Sequence, residues 1–208
     1  MSLLGITEGI CDLKNCQDYQ ENTPLHIAAI NMDIDMVRAL VNIGANLDIK
    51  NLEDSNGRNL LHILINNKRG ALDDDSFVGL ISDVISEYPT LVDQTDVNGD
   101  TFTPIHILLR SSEIGKIPIL NICNQGNLEI QKEGARYDPP WVVQNADGNT
   151  PLHEALIMTT KAHAFTEDVV SWLIYFNDGS IGLRNKRGDT PFHLLKDDTR
   201  KSFNFTIC

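Results

Sequence analysis

The sequence predicts an all-α solenoid, a stack of small helical units in place of one globular core. Three observations carry this: a tetrapeptide that recurs five times, helix-starting chemistry in every copy, and two short apolar runs closed by a glycine after the first copy. The copies are Thr23-Pro24-Leu25-His26, Asn59-Leu60-Leu61-His62, Thr103-Pro104-Ile105-His106, Thr150-Pro151-Leu152-His153 and Thr190-Pro191-Phe192-His193, and they use five of the six histidines. Such self-similarity marks arrays in which each unit buries its apolar face only against its neighbours.

Each position of the template has a physical role. Threonine caps a helix N-terminus through its side-chain oxygen, and proline suits the first helical position, where its missing N–H costs nothing. The next residue, Leu, Ile or Phe, is expected to point inward. The histidine is expected to hydrogen-bond backbone or hydroxyl groups where neighbouring copies meet. Three copies follow a turn, Asp54-Ser55-Asn56-Gly57, Asn145-Ala146-Asp147-Gly148 and Asn185-Lys186-Arg187-Gly188, in which glycine supplies a positive φ. After the first histidine come Ile27-Ala28-Ala29, then Asp35 to Val41, then Gly44-Ala45-Asn46, which reads as two short helices and a stop.

These residues resemble the ankyrin repeat, whose Thr-Pro-Leu-His-x-Ala signature two copies match outright and three match with substitutions. The resemblance covers about residues 19 to 195 and implies helix-turn-helix units with β-hairpin fingers: four full units and a truncated fifth, starting near 19, 54, 96, 145 and 185. Residues 1 to 18 read as an N-terminal cap, with Leu3, Ile6 and Ile10 at helical spacing, and 196 to 208 as either a C-terminal cap or the start of a continuation. The copies are spaced 36, 44, 47 and 40 residues apart, against about 33 in the family. The excess is assigned to Lys68 to Asp75 between the helices of the second unit, to a finger from Gln131 to Gln144, and to Thr159 to Phe165 in the fourth unit. In the third unit, Asn124-Gln125-Gly126-Asn127-Leu128 is read as the helix exit. Asp73-Asp74-Asp75 ahead of an apolar run marks a helix N-terminus, and Tyr88-Pro89 its end.

Composition narrows the function classes. The chain has 208 residues, 41% hydrophobic, and a formal charge of -12 from 17 basic and 29 acidic side chains. That sign disfavours nucleic acid and anionic membrane surfaces. No apolar run approaches the roughly 18 residues of a membrane span, and Met1 to Ile10 lacks the form of a cleaved secretory signal. Cys11, Cys16, Cys123 and Cys208 show no Cys-x-x-Cys pairing and are read as free thiols. No glycine-rich phosphate loop is present. Asp96-x-Asn98-x-Asp100 lacks the glycine of a calcium loop. The template histidines begin successive units on the order of 10 Å apart, too far for one metal to bridge, and His163 is read as a loop residue. Arg187-Gly188-Asp189 is explained as a finger turn. No cofactor, metal or catalytic group is expected.

What remains is surface. The resemblance implies a protein partner lying across the finger tips and the concave ends of the first helices. Carried over slot by slot, this nominates Ile30, Asn31, Asn66, Asn67, Arg110, Ile157 and Met158 at helix ends, and Asn56, Arg58, Phe102, Asn149 and Arg187 on fingers. Tyr137 and Trp141, beside Pro139 and Pro140 on the long finger, have the character of interface anchors, with packing back on the array as the alternative. The acidic charge favours a partner with a basic surface. The expected function is a monomeric, non-enzymatic, cytoplasmic scaffold. The Asn- and Ile-rich, irregularly spaced units look like ankyrin effectors of intracellular bacteria, which implies a host protein as partner and the host cytosol as location. The alternative is the targeting half of a larger enzyme with its catalytic domain beyond residue 208.

Overall fold

The computed structural model describes residues 13–49, 57–70, 73–97, 101–111, 115–132, 139–161, 167–176 and 178–195. Four helix pairs follow one another: α1 (Pro24–Ile30) with α2 (Ile34–Asn42), α3 (Leu60–Asn67) with α4 (Asp75–Glu87), α5 (Pro104–Arg110) with α6 (Lys116–Lys132), and α7 (Pro151–Lys161) with α8 (Glu167–Phe176). A 3-10 turn, Pro191–Leu194, stands where a fifth first helix would start. The first helices pack in a row, α1 on α3, α3 on α5, α5 on α7 and α7 on the 3-10 turn. The second helices form a parallel layer, α2 on α4, α4 on α6 and α6 on α8. The architecture is therefore an all-α repeat solenoid.

The template positions behave as their chemistry dictates. Leu25, Leu61, Ile105 and Leu152 are all buried to within 3% of full exclusion, whereas Phe192 in the last copy is only partly covered. The threonine Oγ accepts from the histidine backbone N–H, at 3.3 Å for Thr23–His26 and 3.4 Å for Thr103–His106 and Thr150–His153. In return the ring Nδ1 accepts from the threonine backbone N–H at 3.1 to 3.2 Å. Two of the helix-start donors are thereby satisfied reciprocally. Because Nδ1 accepts, Nε2 carries the proton, and it donates to the next unit's backbone: His62 to Phe102 O at 2.8 Å, His106 to Asn149 O at 3.1 Å and His153 to Asp189 O at 3.0 Å. The histidines thus bond where neighbouring copies meet.

Several sequence expectations change. Residues 124–128 are no exit, since α6 runs unbroken to Lys132. Gly126 serves close approach instead: a Cβ there would lie 2.5 Å from Ile85 Cγ2 of α4. Thr159 to Lys161 lengthen α7 and are not link, while His163 lies outside the described residues. No extended strand is found among the described residues, where Arg58 forms an isolated β-bridge, and the fourth and fifth fingers are turns braced by a side chain. Asn145 Oδ1 accepts from the N–H of Asp147 and Asn149, and Asn185 Oδ1 repeats this with Arg187 and Asp189, at 2.9 to 3.0 Å. The same turns also close through backbone bonds, Asn145 N–H to Asn149 O and Asn185 N–H to Asp189 O, both at 2.9 Å. The link before α4 is as expected, with Asp74 capping Phe77 N at 2.9 Å and the helix ending at Tyr88 before a 3-10 turn. Of the N-terminal cap, Lys14 donates to Ile43 O and Asn15 accepts from Asn46 N. Residues 1–12 and 196–208 lie outside the described residues.

Candidate partner-binding face

The histidine bonds decide which residues share a face, because each one ties a first helix to the finger of the next unit. At the helix ends, Ile30 keeps 40% of its surface exposed, and Asn31, Asn66 and Arg110 are exposed as well. Asn67, Ile157 and Met158 are half-buried. Asn67 Nδ2 donates to Ile30 O at 3.4 Å, so the ends of α1 and α3 are neighbours.

The most organised part of this face lies across the third, fourth and fifth units. Arg110, the last residue of α5, sits 4.7 Å above the Phe102 ring and 3.1 Å from Glu154 Oε2. Glu154 is 2% exposed, and its other oxygen accepts from Asn145 Nδ2 at 2.9 Å and Asn149 Nδ2 at 3.0 Å. Asn149 Oδ1 accepts in turn from Asn185 Nδ2 at 3.0 Å. A buried carboxylate is tolerated only when paired and hydrogen-bonded, and here both oxygens are engaged, one by two amide donors and the other by the Arg110 guanidinium. Sequence reasoning passed over Glu154. Its signal was a departure from the repeat, since the residue after the template histidine is Ile27, Ile63 and Ile107 in the other full copies.

Three nominated residues are redirected by packing. Trp141 is not a surface anchor: it is 2% exposed, with its ring 5.1 Å from Trp172 and nearly edge-on. The indole fills the space over α8, whose Trp172 Nε1 donates to Asn121 Oδ1 at 2.8 Å. The chain itself thus covers part of that apolar helix, while Tyr175 and Phe176 stay 82% and 44% exposed. Asn149 is 5% exposed and committed to the Glu154 network, so it is an internal brace in place of a contact residue. Arg58 is largely covered and faces Asp96, Nε to Oδ2 3.8 Å. Phe102 is half-buried and Arg187 exposed. Asn56 and Tyr137 lie outside the described residues.

Burial also sets the protonation of this region. It lowers the pKa of His106 from 6.5 to about 4, against the opposing pull of the Asn149 carbonyl and Glu154, and it lowers His26 and His153 as well. The rings are neutral caps, each occupied on both nitrogens. Burial pushes the Cys123 thiol up to about 12, so it is no nucleophile. Among the described residues, no three His, Cys, Asp or Glu side chains gather as a metal site requires, and no helix is long and apolar enough to cross a membrane.

A family model for the ankyrin repeat matches residues 20–52 and 147–186. The chain carries ankyrin repeats. A curated relative, the regulatory protein SWI4 of Saccharomyces cerevisiae, is 38% identical over 53 residues. That match takes in 24% of this chain but only 5% of the yeast protein. A chain in the solved complex of the Bd0816 predatory endopeptidase from Bdellovibrio bacteriovorus with immunity protein Bd3460 superposes with a TM-score of 0.63. The superposition covers 96% of this chain and 88% of that chain, at 20% identity. That likeness speaks to fold.

Proposed function

We propose that this chain is a non-catalytic scaffold that binds a protein partner across the first-helix ends and the fingers. The observation that carries the reading is the contrast within each unit. Template residues are buried and their polar atoms spent on caps and inter-unit bonds, whereas the helix-end slots keep Ile30, Asn31, Asn66 and Arg110 open to solvent. Exposed apolar and arginine side chains on a rigid scaffold are the groups that dominate interfaces. A complex with a protein, named for the structural neighbour, fits the same use of the fold. In finer detail the scaffold has four full units and a truncated fifth, with fingers as contact points, and it acts as a monomer. From the likeness to ankyrin effectors of intracellular bacteria, the partner is a host protein and the place of action the host cytosol.

The test is affinity capture from host-type cell lysate, read by mass spectrometry, with the natural chain and an Ile30→Asp, Ile157→Asp variant. A protein retained by the first and lost by the second supports the reading. A retained protein indifferent to both substitutions places the contact elsewhere, and capture of nothing removes the host-protein reading.

A further inference from the structure

The whole-chain charge of -12 is not spread evenly. Among the described residues, exposed carboxylates line the second-helix layer and its entry loops at Asp33, Asp35, Asp73, Asp75, Glu87 and Asp168, and others stand at Asp18, Asp48 and, on the fourth finger, Asp147. The fifth finger instead exposes Arg184, Lys186 and Arg187, with the half-buried Asp189 beside them. Arg184 braces its own turn by donating to Gly188 O at 2.7 Å, and Lys186 is tied to the fourth finger through its N–H to Asp147 O at 3.0 Å. The Glu154, Asn149 and Asn185 side chains connect this finger to Arg110 by unbroken hydrogen bonds. The two basic features therefore belong to one rigid surface.

Arg110 is the prepared element of that surface. Its guanidinium is held from below by the Phe102 ring and from one side by Glu154, through a single Nη1 contact, while 48% of the side chain remains exposed. Holding an arginine so removes the ordering cost that a free one pays on binding, and the open Nη2 and Nε edge is the donor fork that matches a carboxylate. Two further features of the site are hard to explain by stability alone. Glu154 puts a buried charge where the other full copies hold isoleucine, and isoleucine there would serve folding at least as well. Thr101, next to Phe102, holds φ at 52°, a left-handed conformation that a β-branched residue adopts only under constraint.

We infer that Phe102, Arg110 and the fifth finger form a binding site for an acidic segment of the partner protein, with one partner carboxylate seated on Arg110. The inference rests on the partner-binding reading above and names the chemistry of that partner. It reverses the basic partner expected from net charge, because the fifth finger gathers Arg184, Lys186 and Arg187 on the surface that the Asn185–Asn149–Glu154 bonds join to Arg110.

The test is selection of a displayed random dodecapeptide library on the full chain, followed by affinity measurement on the selected peptides. The expected result is enrichment of Asp and Glu, with affinity falling roughly 30-fold in Arg110→Gln, the loss a hot-spot arginine carries. Arg110→Lys should recover only part of it, and Arg38→Gln on the second-helix layer should change nothing. Circular dichroism melts of each variant separate lost binding from lost fold. Peptides of basic or neutral composition that still depend on Ile30 and Ile157 would overturn the acidic-segment assignment and leave the face intact. Peptides indifferent to all of these substitutions, or no enrichment at all, would overturn both.

Discussion

His106 offers the sharpest quantitative test of the packing. Its ring is fully buried between α5 and the fourth finger, with Nδ1 accepting from Thr103 N–H at 3.2 Å and Nε2 donating to Asn149 O at 3.1 Å. A second proton has nowhere to go without breaking the cap. Burial therefore lowers its pKa from 6.5 to about 4, with Arg110 and His153 pushing the same way and the Asn149 carbonyl and Glu154 opposing. Since the folded pKa is depressed, the unfolded chain binds more protons below pH 6.5. The stabilisation is complete above that pH and is lost as the pH falls toward 4. At about 1.4 kcal/mol per unit the full effect is about 3 kcal/mol, of which about 2 kcal/mol disappears between pH 7 and pH 5. The assay is urea unfolding followed by far-ultraviolet circular dichroism at both pH values, for the natural chain and for His106→Gln. The variant begins less stable, yet should lose about 2 kcal/mol less on acidification. An equal pH-dependent loss in both proteins would falsify the assignment of that term to His106.

Three further outcomes follow from the same geometry. Leu152→Ala and Trp141→Ala should each destabilise the array by about 2 to 5 kcal/mol, measured by urea unfolding, because both side chains leave cavities in the buried core. A Trp141→Ala chain as stable as the natural one would mean the indole is not buried between the repeats. Gly126→Ala should lower stability by about 1 to 3 kcal/mol even though alanine is the better helix former, since its Cβ meets Ile85 Cγ2 at 2.5 Å. Adding Ile85→Ala should recover part of the loss, and no recovery would assign the defect to something other than that contact. Iodoacetamide at pH 8, read by peptide mass mapping, should alkylate the exposed Cys16 and spare Cys123, whose thiol is buried and pushed up to about 12; rapid labelling of Cys123 in native buffer would contradict its burial.

Much of the fold was legible because the repeat template encodes local chemistry. Threonine, proline and histidine at fixed spacing specify a capped helix start from neighbouring atoms alone, and the interior position next to proline needs only to be apolar. The expectation that histidine would serve the junction between copies followed from the same reasoning, and Nε2 reaches the next unit as anticipated. Reading failed where one residue type has two uses. Gly126 sits in a sequence that mimics a helix exit, but glycine is also the residue that lets two helices approach closely, and which use applies depends on Ile85, about forty residues away.

The candidate site divides in the same way. The helix-end slots were implied by the resemblance to the ankyrin family, and of these Ile30, Asn31, Asn66 and Arg110 are exposed while Asn67, Ile157 and Met158 are half-buried. Side-chain commitments could not be counted off. Asn149 and Asp189 occupy the same slot of successive finger turns, yet the first is buried and spent on a carboxylate while the second is half-buried, a difference set by Glu154. Trp141 beside two prolines has the composition of an exposed anchor, and only the approach of Trp172 from α8 takes it into the core. The sequence by itself determined the repeat, the helix starts and the net charge, all of which depend on near neighbours or on a sum. The tertiary structure decided the distribution of that charge and the partners of Arg110, because stacking brings together side chains more than forty residues apart whose pairing no local rule encodes.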